Sequence, residues 1–452
     1  MSDLKGTFEK QALKAIQHFL LSNPEKNIIT ILNLVKAVDN KGYYAGAYDR
    51  IGSALNDADG PWPEFISRLC RGINKKQLNL VFENLVLNAT IRGRRQRNAI
   101  IAEHNCNVPW TILMSLCTAC NLNCLGCWAA EYGPNLSMPL ETLNNIVQQG
   151  KALGVYTYLL SGGEPTLRKR DILSLCAEHP DCVFAAFTNG TLIDNQFAAE
   201  IRQVSNFIPL ISVEGFEEAT DARRGQGTYQ KALEAMSILK DHQLLFGFSA
   251  CYHRRNTEAV GSEAFVDTMV DAGCRLGWFF GYMPIGANAD TTLMATAEQR
   301  RFMYEKVREY RRTKPIFTID FWNDSEHIGG CIAGGRNYLH INANGDVEPC
   351  AFIHYSDSNI KDKSLLEALK SPLFMEYRKG QPFNHNHLRP CPLLDNKDRL
   401  AEMVSASGAH STDLANPENS CDLCAKFHKS ADQWEPVAEA IWTDRHGLEK
   451  AV

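Results

Sequence analysis

The chain has 452 residues, 44% of them hydrophobic, which is enough for two or three domains with filled cores and excludes a peptide-sized scaffold or a disordered tail. Lys and Arg number 47 against 52 Asp and Glu, a net charge of −5, so nucleic-acid binding through bulk charge is excluded and no nucleic-acid partner is expected. Fifteen cysteines, an odd count, follow a start (MSDLKGTFEK) without a secretory leader, and the longest apolar run, 28–35, is too short to span a bilayer; a soluble cytoplasmic chain with reduced thiols is expected.

Residues 1–105 read as a helical N-terminal domain. Leu13, Ile16, Phe19 and Leu20 recur at helical spacing before Asn23-Pro24 stops them, and Leu78, Val81, Phe82 and Leu85 form a second stripe. Arg92, Arg94, Arg95 and Arg97 make a compact basic run, read first as a solvated hinge, with peripheral membrane contact as the sharper alternative. Beyond 110 the texture changes. Strands at 110–116, 155–160, 183–187, 208–213, 245–251 and 276–280 alternate with helices at 140–153, 171–178 and 229–240, a βα succession that implies an α/β fold with a parallel sheet. From 317 onward Gly329, Gly330, Gly334, Gly335 and Gly345 and five cysteines mark an irregular, cysteine-rich extension that a bound metal would staple.

Cys117, Cys120, Cys124 and Cys127 lie in one loop just beyond the first predicted strand, where parallel sheets place their ligand sites. Three thiolates packed into one loop suit three corners of an iron–sulfur cube, leaving the fourth iron open to chelate an amine and a carboxylate; a zinc knuckle using all four cysteines is the alternative. The second strand ends in Ser161-Gly162-Gly163-Glu164-Pro165, the third in Thr188-Asn189-Gly190-Thr191 and the fourth in Ile211-Ser212-Val213-Glu214-Gly215. Arg223 and Arg224 follow, and Tyr282-Met283-Pro284 leaves the sixth strand.

In this order the motifs resemble those of the radical S-adenosylmethionine (SAM) enzymes, whose CxxxCxxC signature is matched by Cys120, Cys124 and Cys127. The resemblance implies a partial (βα)6 barrel over 106–316, a 4Fe-4S cluster on those three cysteines, and SAM on the open iron. By the same likeness Gly162, Gly163, Glu164 and Pro165 hold the SAM amine and Asn189 stands beside the site. Ser212 and Glu214 are expected to reach the ribose, Arg223 or Arg224 to pair with the SAM carboxylate, with a surface salt bridge as the competing reading for the arginines, and the backbone at Pro284 to edge the adenine. Cys117 is left as a spare thiol; Trp128 either covers the cluster or adenine or simply packs. The implied chemistry is reductive cleavage of SAM to methionine and a 5′-deoxyadenosyl radical, which abstracts a hydrogen atom from the substrate.

Cys331 and Cys350, in CIAGGRNYLHINANGDVEPC, resemble the opening of the SPASM and twitch extensions of these enzymes. Cys391, Cys421 and Cys424 follow, and five thiolates fill one cubane with one to spare. One auxiliary 4Fe-4S cluster is therefore expected in 317–452, on Cys331, Cys350 and two of the other three. Zinc joined by His354 or His428 is the alternative. Extensions of this type imply modification of a peptide or protein by crosslinking or oxidation, with electrons from a reductant such as flavodoxin or ferredoxin. Modification of a lipid or alkyl chain is the second reading, and a non-catalytic iron–sulfur carrier the third.

Overall fold

The computed structural model describes residues 45–447 apart from 58 and 131–134, with a few positions between 27 and 36. The expected helix through Leu13 and Leu20 lies outside the described residues. The chain alternates strand and helix from residue 111. Among the described residues a separate antiparallel pair joins Tyr355–Ser356 and His410–Ser411, and nine strands form one sheet. In chain order they are β1 (Thr111–Ser115), β2 (Thr157–Ser161), β3 (Val183–Thr188), β4 (Phe207–Ser212), β5 (Gly247–Tyr252), β6 (Leu276–Gly281), β7 (Phe317–Asp320), β8 (Tyr338–Ile341) and β9 (Val347–Glu348). In space the order is β7-β6-β5-β4-β3-β2-β1-β8-β9, and every pairing is parallel except β8 with β9.

The six expected barrel strands are all present. Two further parallel strands come from beyond the expected boundary at 316: β7 extends the sheet past β6, and β8 lies along β1 with Thr111 opposite Tyr338. Side chains alternate across this curved sheet with period two. Ile112, Met114, Tyr158, Leu160, Phe184, Ile211, Phe248 and Phe279 join the core under the outer helices. Their neighbours Thr111, Leu113, Leu159, Ser161, Phe187, Ser212, Ser249, Cys251, Trp278 and Phe280 line the interior.

Rings bridge the two sides of the opening that the sheet leaves. Phe321, just past β7, meets Tyr338 of β8 at 6.2 Å and Phe352, just past β9, at 6.0 Å, and Trp322 meets Phe352 at 5.2 Å.

The N-terminal helices close the other end. Helix Lys75–Phe82 runs into a π-helical stretch, Glu83–Arg92, and then into helix Gly93–His104. Val81 and Leu85 of the predicted stripe pack on Val183, Ile208 and Leu210 at the starts of β3 and β4. The buried Gln77 donates to Phe207 O at 3.0 Å and accepts from Leu245 N at 2.7 Å. Asn84 donates to Cys182 O at 3.0 Å.

The basic run is neither a free hinge nor a uniformly exposed face. Arg97 is buried and donates to Ala89 O at 3.1 Å and Gly154 O at 2.6 Å, so it ties the helix to the barrel. Among the described residues no helix is long and apolar enough to cross a membrane.

Candidate active site

β1 delivers the chain into the cysteine loop, and the turn after β2 holds that loop down. Gly163 N donates to Cys117 O at 2.7 Å and Glu164 N to Ala119 O at 2.8 Å. Two glycines are needed for this approach: a Cβ at Gly162, whose φ is +124°, would lie 2.2 Å from Cys117 O, and one at Gly163 would lie 2.0 Å from Ala119 O.

The Glu164 carboxylate is spent inside the protein. Its Oε1 accepts from Thr166 N at 2.9 Å and from the Thr166 and Thr188 hydroxyls, both at 2.6 Å, while Oε2 accepts from Asn189 N at 2.7 Å. Asn189 in turn donates to Asn121 Oδ1 at 2.9 Å, and Asn121 donates to Thr191 Oγ1 at 2.8 Å. The ends of β2 and β3 and the cysteine loop are thereby tied into one rigid piece. Asn121 did not stand out in the sequence, because a lone Asn carries no spacing signal, and Thr188 stood out only as the first residue of Thr188-Asn189-Gly190-Thr191.

Cys120, Cys124 and Cys127 face one cavity together with Gly162, Gly163, Glu164, Asn189, Ser212, Arg223 and Arg224. Cys117 does not line it. Its sulfur is turned toward Ala119 O at 3.7 Å and Glu164 O at 4.0 Å, which removes it from a four-thiolate zinc knuckle. Pro165 is buried at the start of the turn Pro165–Arg168, and Pro284 is buried behind Tyr282 and Met283, which do line the cavity.

Glu214 departs from its expected role. Its carboxylate is fully buried and does not line the cavity: Oε1 accepts from Arg223 Nη1 at 2.5 Å and from Arg224 Nε at 2.7 Å, and Oε2 from Cys251 N at 3.1 Å. No oxygen faces a ribose diol, because the chain leaves the sheet after Ser212 and the strand's alternation ends there. Ser249 takes the neighbouring place, with its hydroxyl 3.1 Å from that of Ser212. Two guanidiniums on one carboxylate leave an excess positive charge beside the thiols. Burial pushes the Cys124 thiol up, and Arg224 and Arg223 pull against that shift.

These residues fit a 4Fe-4S cluster carrying SAM. Three soft donors line one open cavity, the two guanidiniums that share the Glu214 carboxylate also line it, and a polar shelf of Ser212, Ser249 and Asn189 stands beside them. The far wall is different in kind. Leu113, Leu159, Phe187, Trp278, Phe280, Phe321, Ile332 and Phe352 line it, and the lining Glu and Arg side chains are Glu164, Arg223 and Arg224, each already paired.

Behind Phe321, Ile332 and Phe352 lies a second, smaller cavity holding Cys331, Cys350 and Cys391. Cys424, on helix Ser420–Gly447, belongs to the same buried cluster, whereas Cys421 on that helix is exposed. The structure thus brings Cys331, Cys350 and Cys391 to one cavity, with Cys424 in the adjoining apolar cluster and Cys421 exposed on the same helix. Burial, together with the charges of Cys331, Cys350, Cys391 and Cys424, pushes the Tyr377 phenol well above its ordinary range. Tyr377 lines this cavity and its buried hydroxyl has no partner among the described residues, as fits a site built around a polarisable inorganic group.

Histidine is not part of the set. His354 uses both ring nitrogens, one 2.6 Å from Asp413 Oδ1 and the other 3.0 Å from Ala351 O, and His428 is 2.9 Å from Asp398 Oδ1. Trp128 lines the first cavity and packs edge-on to His340, Phe352 and His354 at 5.7, 5.9 and 6.1 Å.

Comparison with known proteins gives matching assignments. Residues 114–258 match the radical SAM superfamily and 331–392 match the SPASM iron–sulfur cluster-binding domain. The serine-type anaerobic sulfatase-maturating enzyme of Klebsiella aerogenes is 30% identical over 291 residues, covering 57% of this chain and 70% of that protein. The AdoMet-dependent heme synthase of Oleidesulfovibrio alaskensis is 24% identical over 318 residues, 61% of this chain and 78% of that one. Among solved structures, Streptococcus suis SuiB bound to precursor peptide SuiA superimposes with a TM-score of 0.52 at 19% identity, covering 68% of this chain and 72% of that one.

Proposed function

Because the chain belongs to the radical SAM superfamily and carries a SPASM domain, we propose that it modifies a peptide or protein at an uncharged, apolar side chain. The observation that carries this reading is a cavity whose lining combines thiols and polar groups with a large set of aromatic and aliphatic side chains. A 4Fe-4S cluster on Cys120, Cys124 and Cys127 supplies the electron that cleaves SAM to a 5′-deoxyadenosyl radical. The chain's own residues do the rest. The carbonyls of the Gly162-Gly163 turn accept from the SAM ammonium, since the Glu164 carboxylate is occupied. Ser212 and Ser249 hold the ribose, and the excess charge of Arg223 and Arg224 meets the SAM carboxylate. The aromatic wall excludes water, so a radical formed there meets its target and not solvent.

Charge on the target is disfavoured. Burying an unpaired carboxylate or ammonium against Phe187, Trp278 and Phe280 would cost several kcal/mol. A carboxylate-rich macrocycle, the substrate type suggested by the heme synthase relative, would lack free cations there, whereas the sulfatase-maturase relative favours a polypeptide. We place the auxiliary 4Fe-4S cluster on Cys331, Cys350, Cys391 and Cys424. All fifteen cysteines are thiols in the structure, which suits a reducing, cytoplasmic setting with flavodoxin or ferredoxin as electron donor.

Anaerobically reconstituted, dithionite-reduced protein is expected to release 5′-deoxyadenosine from SAM, and Cys124→Ala to abolish that release at unchanged auxiliary iron. Peptides bearing perdeuterated Leu or Phe should transfer deuterium into the product. Transfer from deuterated fatty acyl chains instead would establish the lipid reading, and a fully loaded protein that releases no 5′-deoxyadenosine would leave only an iron–sulfur carrier.

A further inference from the structure

Tyr377, on helix Pro372–Gly380, is fully buried, and its hydroxyl has no hydrogen-bond partner among the described residues. Leaving a hydroxyl unpaired in an interior costs about 1–3 kcal/mol, so such a group calls for a reason. Loose packing is not the reason. Gly334, at φ +61°, brings its backbone so close that a Cβ there would lie 2.5 Å from Tyr377 Cβ, and Phe383 meets the ring edge-on at 5.5 Å. The ring is clamped from two sides.

What surrounds it is sulfur. Tyr377 lines the cavity of Cys331, Cys350 and Cys391, and Cys424 packs in the same cluster. The amide of Gln381 is anchored beside Cys331: its Nε2 donates to Cys331 O at 3.2 Å and Ala333 O at 2.7 Å, and its Oε1 accepts from Asn107 at 3.1 Å.

We propose that the Tyr377 hydroxyl donates a hydrogen bond to a sulfur of the auxiliary 4Fe-4S cluster and thereby raises that cluster's reduction potential. The inference rests on the reading that these four thiols hold such a cluster. A reduced cluster carries one more negative charge than an oxidised one, so a fixed O–H donor aimed at its sulfur favours the reduced form. Tyr377 is in this sense a positioning and tuning residue for an electron acceptor.

The test uses full-length protein with Cys120, Cys124 and Cys127 all changed to Ala, so that only auxiliary iron contributes. Parent and Tyr377→Phe are reconstituted anaerobically, assayed for iron and titrated by EPR. The variant is expected to bind the same iron and to show a more negative midpoint potential. Electron–nuclear double resonance should detect in the parent an exchangeable proton, coupled to the reduced cluster and replaced in D2O, that is missing from the variant. Cluster-free Tyr377→Phe should melt no lower than its cluster-free parent, since the hydroxyl has no partner there. An unchanged or more positive potential with full iron overturns the proposal, as does a variant that cannot retain iron, because the hydroxyl would then be a structural requirement. A parent that assembles no auxiliary cluster at all sinks the underlying reading instead.

Discussion

A methyl group at Gly163 would stand 2.0 Å from Ala119 O, and neither side of that contact is a flexible side chain that could swing away. Gly163→Ala is therefore expected to lift the turn off the cysteine loop and break the bond from Gly163 N to Cys117 O. Iron assay should show loss of the first cluster with the auxiliary one kept. His253, beside the site, gives a second test at this scale. Burial and then the Arg223 guanidinium push its pKa down to about 4, from an ordinary value of 6.5. Its folded form is neutral, so the stability it contributes is complete above pH 6.5 and is lost as pH falls through the window from 6.5 to 4. The loss is about 3 kcal/mol at the low end. Urea midpoints measured across that window should fall, and His253→Gln should flatten the fall.

The elements show how far sequence reaches. The six strands of the barrel were legible because each is a short β-rich run followed by a turn with chemistry in it, and the turns were legible because their glycines and cysteines recur at telling places. What β1 pairs with on its outer edge was not, since the match of Thr111 with Tyr338 joins positions far apart in the chain and leaves no periodicity behind. β7 and β8, four residues each, are too short to announce themselves. The stripe at Leu78, Val81 and Leu85 announced a helix, yet nothing in its spacing said that it would cover the barrel floor. Glu214 and Ser212, one residue apart, read as a pair facing one way; the strand ends at Ser212, and Glu214 turns to Arg223 and Arg224 instead. One prediction belongs to this level. Gln77→Ala leaves Phe207 O and Leu245 N unpaired beneath the barrel and should cost about 1–3 kcal/mol in a urea melt, with both clusters still assembling.

In the whole molecule two reactive sites share one wall. Phe321, Ile332, Phe352 and Met283 face the SAM-type cavity on one side and the auxiliary thiols on the other. Phe352→Ala should lower stability by up to about 4 kcal/mol and speed the stripping of auxiliary iron by a ferrous chelator. Phe317→Ala, which removes an exposed ring from β7, should leave that rate unchanged. The wall also bears on traffic. Across the opening beside β7 the ends meet through Phe321, Trp322, Tyr338 and Phe352, and ring contacts have no register to lose. A seam of this sort can part and reseal without breaking one main-chain hydrogen bond, at the cost of dispersion and apolar exposure alone. Under the proposed function such a seam would offer a polypeptide substrate a way in along the flank of the molecule, where an incoming aromatic or aliphatic side chain can replace in kind the contacts that its passage disrupts.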